Sequence, residues 1–372
     1  MSASLLVVAG EVSGDLHAGN LLAELQKIEP ALEAFGVGGE RLAANGLECV
    51  ATTDELAHMG LMEVVRELPR IRGIMKKLTT ECGRRRPDLA VLVDSPDFNL
   101  RLAARLASLD IPVVLYVSPQ LWAWRRGRVK TVRRVAREVL CLLPFEVSFY
   151  RRFHVPARYV GHPLVDDVAR DGLLQHEIQR QSNKIAMLPG SRFMEVRSLL
   201  PIMIRAAQQL EGGPARETII IEAPGVGDAM DEVLREAGNP TFRRVTGDDR
   251  RRELASCALA WTASGTATLE CALLDVPMIV GYRLHPISYA VARLLVRVPH
   301  VALVNLIAQR RLAPELIQGN WSPHNLAAVT AQQLAGGADE QRKGLEGVRE
   351  QLGTAGASQR AAAAILEHLR SS

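Results

Sequence analysis

Short apolar runs alternating with helix-patterned stretches, along most of 372 residues, confine this chain to α/β architectures built on parallel sheets. Candidate buried strands lie at 4–9, 89–93, 113–117 and 139–143, and a second set lies at 184–188, 218–222, 259–262 and 278–281. Between the sets, 161–183 opens on Gly161-His162-Pro163 and turns polar through Gln175, Glu177, Gln179 and Asn183, which places a domain linker there. No repeat recurs at a fixed period, so the rhythm reads as two α/β halves rather than a solenoid. The expected division is 1–165, 166–340 and a helical 341–372, in which Ala and Gln are frequent.

The same runs exclude several classes of protein. None approaches the roughly 18 uncharged apolar residues that a bilayer span requires. Leu5-Leu6-Val7-Val8-Ala9 is too short for a secretory signal, lacks a basic flank, and reads as a first strand. The five cysteines are scattered, with no Cys-x-x-Cys pair, so neither a disulfide framework nor a zinc site is expected and the compartment is read as reducing. Forty-five Lys and Arg against 41 Asp and Glu leave a net charge of +4, too small by itself to imply a nucleic-acid partner.

The chemistry concentrates where strands give way to helices. Ala258-Leu259-Ala260-Trp261 leads through Ala263-Ser264-Gly265-Thr266 into a helical pattern carrying Glu270. Such a turn is either an ordinary one capped by the Ser264 or Thr266 hydroxyl, or a diphosphate seat at a helix start. Glu270, four residues past Thr266, lies on the same helix face and is placed to accept hydrogen bonds from a ribose diol. Met187-Leu188-Pro189-Gly190-Ser191-Arg192 is either a plain Pro-Gly turn with an exposed arginine or a second anion site with backbone donors and a forked cation. In the first half, Gly10-Glu11-Val12-Ser13-Gly14-Asp15 follows the first strand with neither dinucleotide nor P-loop spacing. Gly36-Val37-Gly38-Gly39 reads as a second Gly-rich turn. Asp94-Ser95-Pro96-Asp97-Phe98-Asn99 ends the strand at 89–93, and its Asp97 is either a helix cap or a general base.

Three further stretches stay open on residue chemistry alone. Leu61, Val64, Val65, Leu68, Ile71 and Met75 recur at helical spacing among Arg66, Arg70, Arg72, Lys76 and Lys77. They form either a membrane-surface face or a helix pair packed on the core, with Pro69 against one continuous helix. Trp122 and Trp124 precede a basic run, Arg125 to Arg137, that suits either RNA stacking or a solvated helix. His162 is either a hinge or a site residue, and Asn305 inside an apolar run either caps a turn or recognises a ligand.

Taken in register, these segments resemble lipid-A-disaccharide synthases, a family of inverting GT-B glycosyltransferases. The resemblance rests on 9–15, Met59-Gly60 with Glu63-Val64, 94–99, 116–124, 143–146, 160–164, 188–192, 263–270, 304–308 and 313–318. It runs in order from about residue 5 to about residue 320. Val12, Glu40, Ser95 and Gln120-Leu121 depart from the family pattern without removing a charge or hydroxyl assigned to chemistry. Other UDP-sugar proteins of the fold, such as UDP-N-acetylglucosamine 2-epimerases and the lipid II-forming transferase, lack 94–99 and 116–124 as written here.

The resemblance implies two Rossmann-like domains facing across a cleft, with a last helix crossing back to the N-terminal domain. It implies transfer of a sugar from UDP-2,3-diacylglucosamine to 2,3-diacylglucosamine 1-phosphate (lipid X), giving a β-1,6-linked disaccharide 1-phosphate and UDP. Asp97 would be the catalytic base. Gly190, Ser191, Arg192, Ser264, Gly265, Thr266, Glu270 and Asn305 would bind the donor. Glu11, Ser13, Asp15 and Asn99 would line the acceptor side. The amphipathic stretch would then touch the cytoplasmic face of the inner membrane, the protein being cytoplasmic and peripheral. With no Asp-x-Asp motif, no metal and no cofactor is expected; no nucleic-acid partner is expected, and a homodimer is compatible with the pattern.

Overall fold

The computed structural model describes residues 3–57, 64–174, 178–210, 217–296 and 298–371, at 57 and 64–68 through the backbone alone. The chain divides into two compact units, one formed by residues up to Pro163 together with those from Thr354 onward, the other by Leu164–Gly353.

The first unit is a parallel sheet of β1 (Ser4–Ala9), β2 (Glu33–Gly38), β3 (Glu48–Thr52), β4 (Leu89–Val93), β5 (Val113–Tyr116), β6 (Glu138–Cys141) and β7 (Ala157–Tyr159). Their spatial order is β3-β2-β1-β4-β5-β6-β7. Strand β1 is apolar and buried from Leu5 to Ala9 because helices cover both faces of the sheet. Its alternate residues feed two cores: Leu6 and Val8 pack with Leu92 and Phe98, while Leu5, Val7 and Ala9 pack with Leu21, Val91 and Ile365. The second core joins the helix Val12–Ile28 to the last helix, Ala357–Arg370.

The second unit is a parallel sheet of β8 (Gln181–Leu188), β9 (Glu217–Ile221), β10 (Arg243–Val245), β11 (Cys257–Ala263), β12 (Met278–Tyr282) and β13 (Glu315–Ile317). Its order is β10-β9-β8-β11-β12-β13. Trp261 on β11 is wholly buried, and its indole donates to the Thr330 hydroxyl at 2.9 Å.

Three local expectations are corrected. Gly36–Gly38 lie inside β2 rather than in a turn; a Cβ on Gly36 would stand 1.9 Å from the Val7 carbonyl, so the close approach of β1 requires glycine. Pro69 does not divide the basic stretch: Val64–Arg85 is one helix. Residue 340 falls inside the helix Ala338–Leu352 of the second unit, so only the chain from Thr354 onward joins the first.

Candidate functional site

In an open parallel sheet the crevice lies at the strand C-termini where the strand order reverses. The first sheet reverses between β1 and β4, and the second between β8 and β11. The loops leaving these four strands carry Gly10–Ser13, Asp94–Asp97, Gly190–Arg192 and Ser264–Thr266. Topology therefore collects the predicted site residues of each unit at its own switch point.

In the second unit Gly190 has φ +119°, and the place of a Cβ is taken by the Glu195 side chain, 2.4 Å away. Glu195 accepts from the Ser191 amide at 3.1 Å and from Arg192 at 3.3 Å, so it shapes the turn and restrains the exposed guanidinium. Glu195 is a structural partner that the sequence reading passed over; its position three residues after Arg192 was the available signal.

Across the switch point, Gly265 and not a hydroxyl occupies the cap position of the helix Thr266–Leu273. The Ser264 hydroxyl instead donates to the Val301 carbonyl at 2.7 Å. That removes the hydroxyl-capped alternative and leaves the helix start without a side-chain cap. Thr266 is exposed there.

The Asn305 side chain is committed within its own segment. It is fully buried; its amide nitrogen donates to Ala313 and Glu315, and its oxygen accepts from the Leu312 and Ala313 amides at 2.9 and 2.7 Å. Glu315 also accepts from the amides of Val301 and Ala302. The pair thus fixes the segment that holds Ser264. Asn305→Ala leaves several buried groups unpaired and is expected to destabilise the protein by about 2–4 kcal/mol. In a thermal melt that is a loss of roughly 5–12 °C.

Glu270 is buried, and its carboxylate accepts from Arg251 Nε at 2.9 Å. Arg251 is also ion-paired to Asp171 at 2.6 Å and Asp167 at 3.6 Å. The Arg251 guanidinium fixes the carboxylate's direction through Oε1, while Oε2 lies 3.9 Å from the Arg250 guanidinium.

In the first unit, a Cβ on Gly10 would lie 2.5 Å from that of Ser95, so the β1 and β4 loops meet face to face. Asp94 and Ser95 are both left-handed, at φ +54° and +41°, and Val117, a β-branched residue, follows β5 at φ +62°. Such conformations cost on the order of 1–3 kcal/mol each and gather at functional sites. Asn99 holds the first pair in place by donating to the carbonyls of Val93 and Asp94 at 3.1 and 2.7 Å. Asp15 is likewise committed: it accepts from the amides of Gly39, Arg41 and Leu42. These bonds make Asn99 and Asp15 positioning groups, which corrects their expected place on the acceptor surface; Glu11 and Ser13 are exposed.

Asp97 is half-exposed at the start of the helix Pro96–Ala107 and pairs with Arg125 at 3.0 Å and with Arg128. Partial burial raises its pKa, but the Arg128 hydrogen bond and the charges of Arg128, Arg125 and Arg101 prevail and hold it below the ordinary 3.8. Arg125 also lies over the Trp124 ring, 4.2 Å from its centroid. The basic run is thus partly neutralised by the candidate base, and Trp122 is buried rather than open for base stacking.

Trp122 serves another group. Its indole and the Ser118 hydroxyl donate to Glu146 at 2.9 and 3.0 Å, and the Leu143 amide donates at 3.1 Å. Burial outweighs these bonds and lifts the Glu146 carboxyl from 4.5 to about 7. Between those values the folded protein binds more protons than the unfolded chain. The stability contributed is therefore complete below pH 4.5 and lost as pH rises through about 7. The shift corresponds to about 3 kcal/mol. Glu146→Gln is expected to flatten the wild-type decline by that amount in denaturant unfolding at pH 4.5 and 8; parallel profiles would refute it. His162 is buried, and burial, with the neighbouring His17, lowers its pKa to about 3.

Of the expected membrane-contact residues, Leu61 lies outside the described residues, and Val64, Val65 and Leu68 are described through the backbone only. Met75 is a core residue, 5% exposed, with Ile71 packed against the same cluster. Those two face the sheet, which corrects their assignment to a lipid-facing surface. Among the described residues no helix is long and apolar enough to cross a membrane. No cluster of three or more potential metal ligands occurs among them either.

A family model described as lipid-A-disaccharide synthetase matches residues 5–367. A lipid-A-disaccharide synthase from Anaeromyxobacter dehalogenans is 45% identical over 377 residues, covering 98% of this chain and 97% of that one. One from Myxococcus xanthus is 42% identical over 374 residues, with the same coverage. Among solved structures, MurG from Acinetobacter baumannii has a TM-score of 0.63 at 15% identity, covering 99% of this chain and 100% of that one. A UDP-GlcNAc 2-epimerase from Neisseria meningitidis, bound to UDP-GlcNAc, has a TM-score of 0.59 at 12% identity, with the same coverage. The structural likenesses carry the fold alone: two Rossmann-like parallel-sheet units of the GT-B class.

Proposed function

The chain belongs to the lipid-A-disaccharide synthase family, and from that membership we propose that it transfers the sugar of UDP-2,3-diacylglucosamine to lipid X. The products are a β-1,6-linked disaccharide 1-phosphate and UDP. The observation that carries the reading is the position of the candidate groups: both switch points bear them, one with a carboxylate and the other with anion-binding donors.

Asp97 takes the proton of the acceptor 6-hydroxyl as its oxygen attacks the anomeric carbon. The bond to the diphosphate oxygen breaks with inversion, and the electron pair leaves on UDP. Arg192 and the amides at Ser191 and at the start of the helix Thr266–Leu273 stabilise that charge. Glu270, directed by Arg251, receives the ribose. Gly190 and Gly265 let the backbone approach the diphosphate. Glu11 and Ser13 border the acceptor. Asn305, Asn99 and Asp15 hold the loops that carry these groups.

The lipid substrates place the enzyme on the cytoplasmic face of the inner membrane, with the stretch from Leu61 to Leu68 as a contact. The test is UDP release. It is expected only when donor and acceptor are both present, with no metal added. Release or epimerisation without acceptor would favour the chemistry of an epimerase on the same fold.

A further inference from the structure

The helix Pro286–Leu295 buries none of its residues. Ile287 is 71% exposed, Val291 49%, Leu294 81% and Leu295 53%, with Val296 at 38% just beyond. Positions 287, 291, 294 and 295 follow helical spacing and form one stripe. Five of the thirteen large apolar side chains exposed among the described residues thus fall within ten positions. Scattered exposure of single apolar residues is ordinary; a continuous stripe marks a contact surface.

Charge identifies the contact. From Val276 through Pro314, 39 residues, the sequence has no Asp or Glu, where the chain's average density would place about four. The same span holds Arg283, Arg293, Arg297, Arg310 and Arg311 with His285 and His300. An apolar stripe in an acid-free, basic setting complements a surface that is apolar beneath and anionic above.

The stripe is also firmly mounted. Before the helix, the Gln318 side chain accepts from the Leu284 amide at 2.6 Å and donates to its carbonyl at 3.0 Å. Beyond the helix, the Val301 carbonyl receives the Ser264 hydroxyl. The anchors, Gln318 and Ser264, follow the C-terminal ends of β13 and β11, the edge of the sheet that carries the turn Ser264–Thr266. A helix loose in solution would need no such ties.

We propose that the helix Pro286–Leu295 lies in the surface of an anionic phospholipid bilayer, as a second lipid contact on the unit proposed to bind the donor. The argument rests on the reading of the substrates as lipid-linked sugars, which puts their acyl chains beside this edge. The stripe enters the interface, and Arg283 and Arg293 meet the phosphates.

The test uses the full chain and vesicles of phosphatidylethanolamine with phosphatidylglycerol, compared with vesicles of phosphatidylcholine alone. The wild type is expected to partition onto the anionic vesicles and to be released by salt. An Ile287→Ser, Leu294→Ser, Leu295→Ser variant should lose about ten-fold or more of that partitioning. An Arg283→Gln, Arg293→Gln variant should bind several-fold more weakly with a flatter salt dependence. All substituted apolar groups are exposed, so unfolding midpoints should stay unchanged. Unchanged partitioning of the triple variant would overturn the proposal. So would loss of self-association in that variant with vesicle binding intact, which would assign the stripe to a second copy of the chain. Turnover on micellar substrates is measured in parallel: its absence from the wild type would defeat the transferase reading, while the vesicle comparison would still decide the helix.

Discussion

Asp97→Asn is expected to lower turnover by about 10²–10⁴-fold, the usual contribution of a positioned general base. It should leave the unfolding midpoint nearly unchanged, because the side chain is 53% exposed and its ion pairs lie at the surface. The environment of this carboxylate makes a second, sharper demand. Arg128 and Arg125 hold its pKa below 3.8, which favours the ionised form but weakens it as a base. Activity that requires the carboxylate should therefore persist as pH falls toward that value in kcat/KM, which reports the free enzyme. Arg128→Ala should move the acid limb upward, and in the bound complex an acceptor hydroxyl must take the place of one guanidinium. An Asp97→Asn enzyme with wild-type turnover would remove the residue from the chemistry and leave it as the anchor of the basic loop.

Arg192→Ala is expected to reduce kcat/KM by about 10²–10³-fold, because a forked cation on the departing diphosphate acts where charge develops. The residue is 77% exposed and, among the described residues, is held by Glu195 at 3.3 Å, so folding should not suffer. Arg192→Lys should recover only part of the loss, since a point charge does not match two oxygens at once. Calorimetric titration with UDP separates the effects. Weaker UDP binding with unchanged kcat would mean that Arg192 holds the ground state alone.

The sequence marked the strand-end loops well because their ingredients are local. Continuous apolar runs made β1, β4, β8, β11 and β12 visible, and small or charged residues at their ends made the turns visible. The edge strands were harder. Strand β3 is half-exposed, and β7, β10 and β13 have three residues each, too few for any period to emerge. Side-chain destinations were harder still. Nothing local distinguishes an Asn305 that reads a nucleotide from one whose four hydrogen bonds close on its own loop. Asp15 and Asn99 hid their commitments in the same way, as did Met75, whose helix turns it into the core. The Arg251–Glu270 pairing joins residues 19 apart, and Glu146 with Trp122 joins residues 24 apart, so both needed the fold to be seen.

Disaccharide formation is the most direct test of the central claim. Purified protein is mixed with chelator, UDP-2,3-diacylglucosamine and lipid X in detergent micelles, with a folded Asp97→Asn variant alongside, and mass spectrometry follows the products. The disaccharide 1-phosphate should appear with the wild type and almost vanish with the variant. A wild type that binds UDP yet yields no disaccharide would contradict the account.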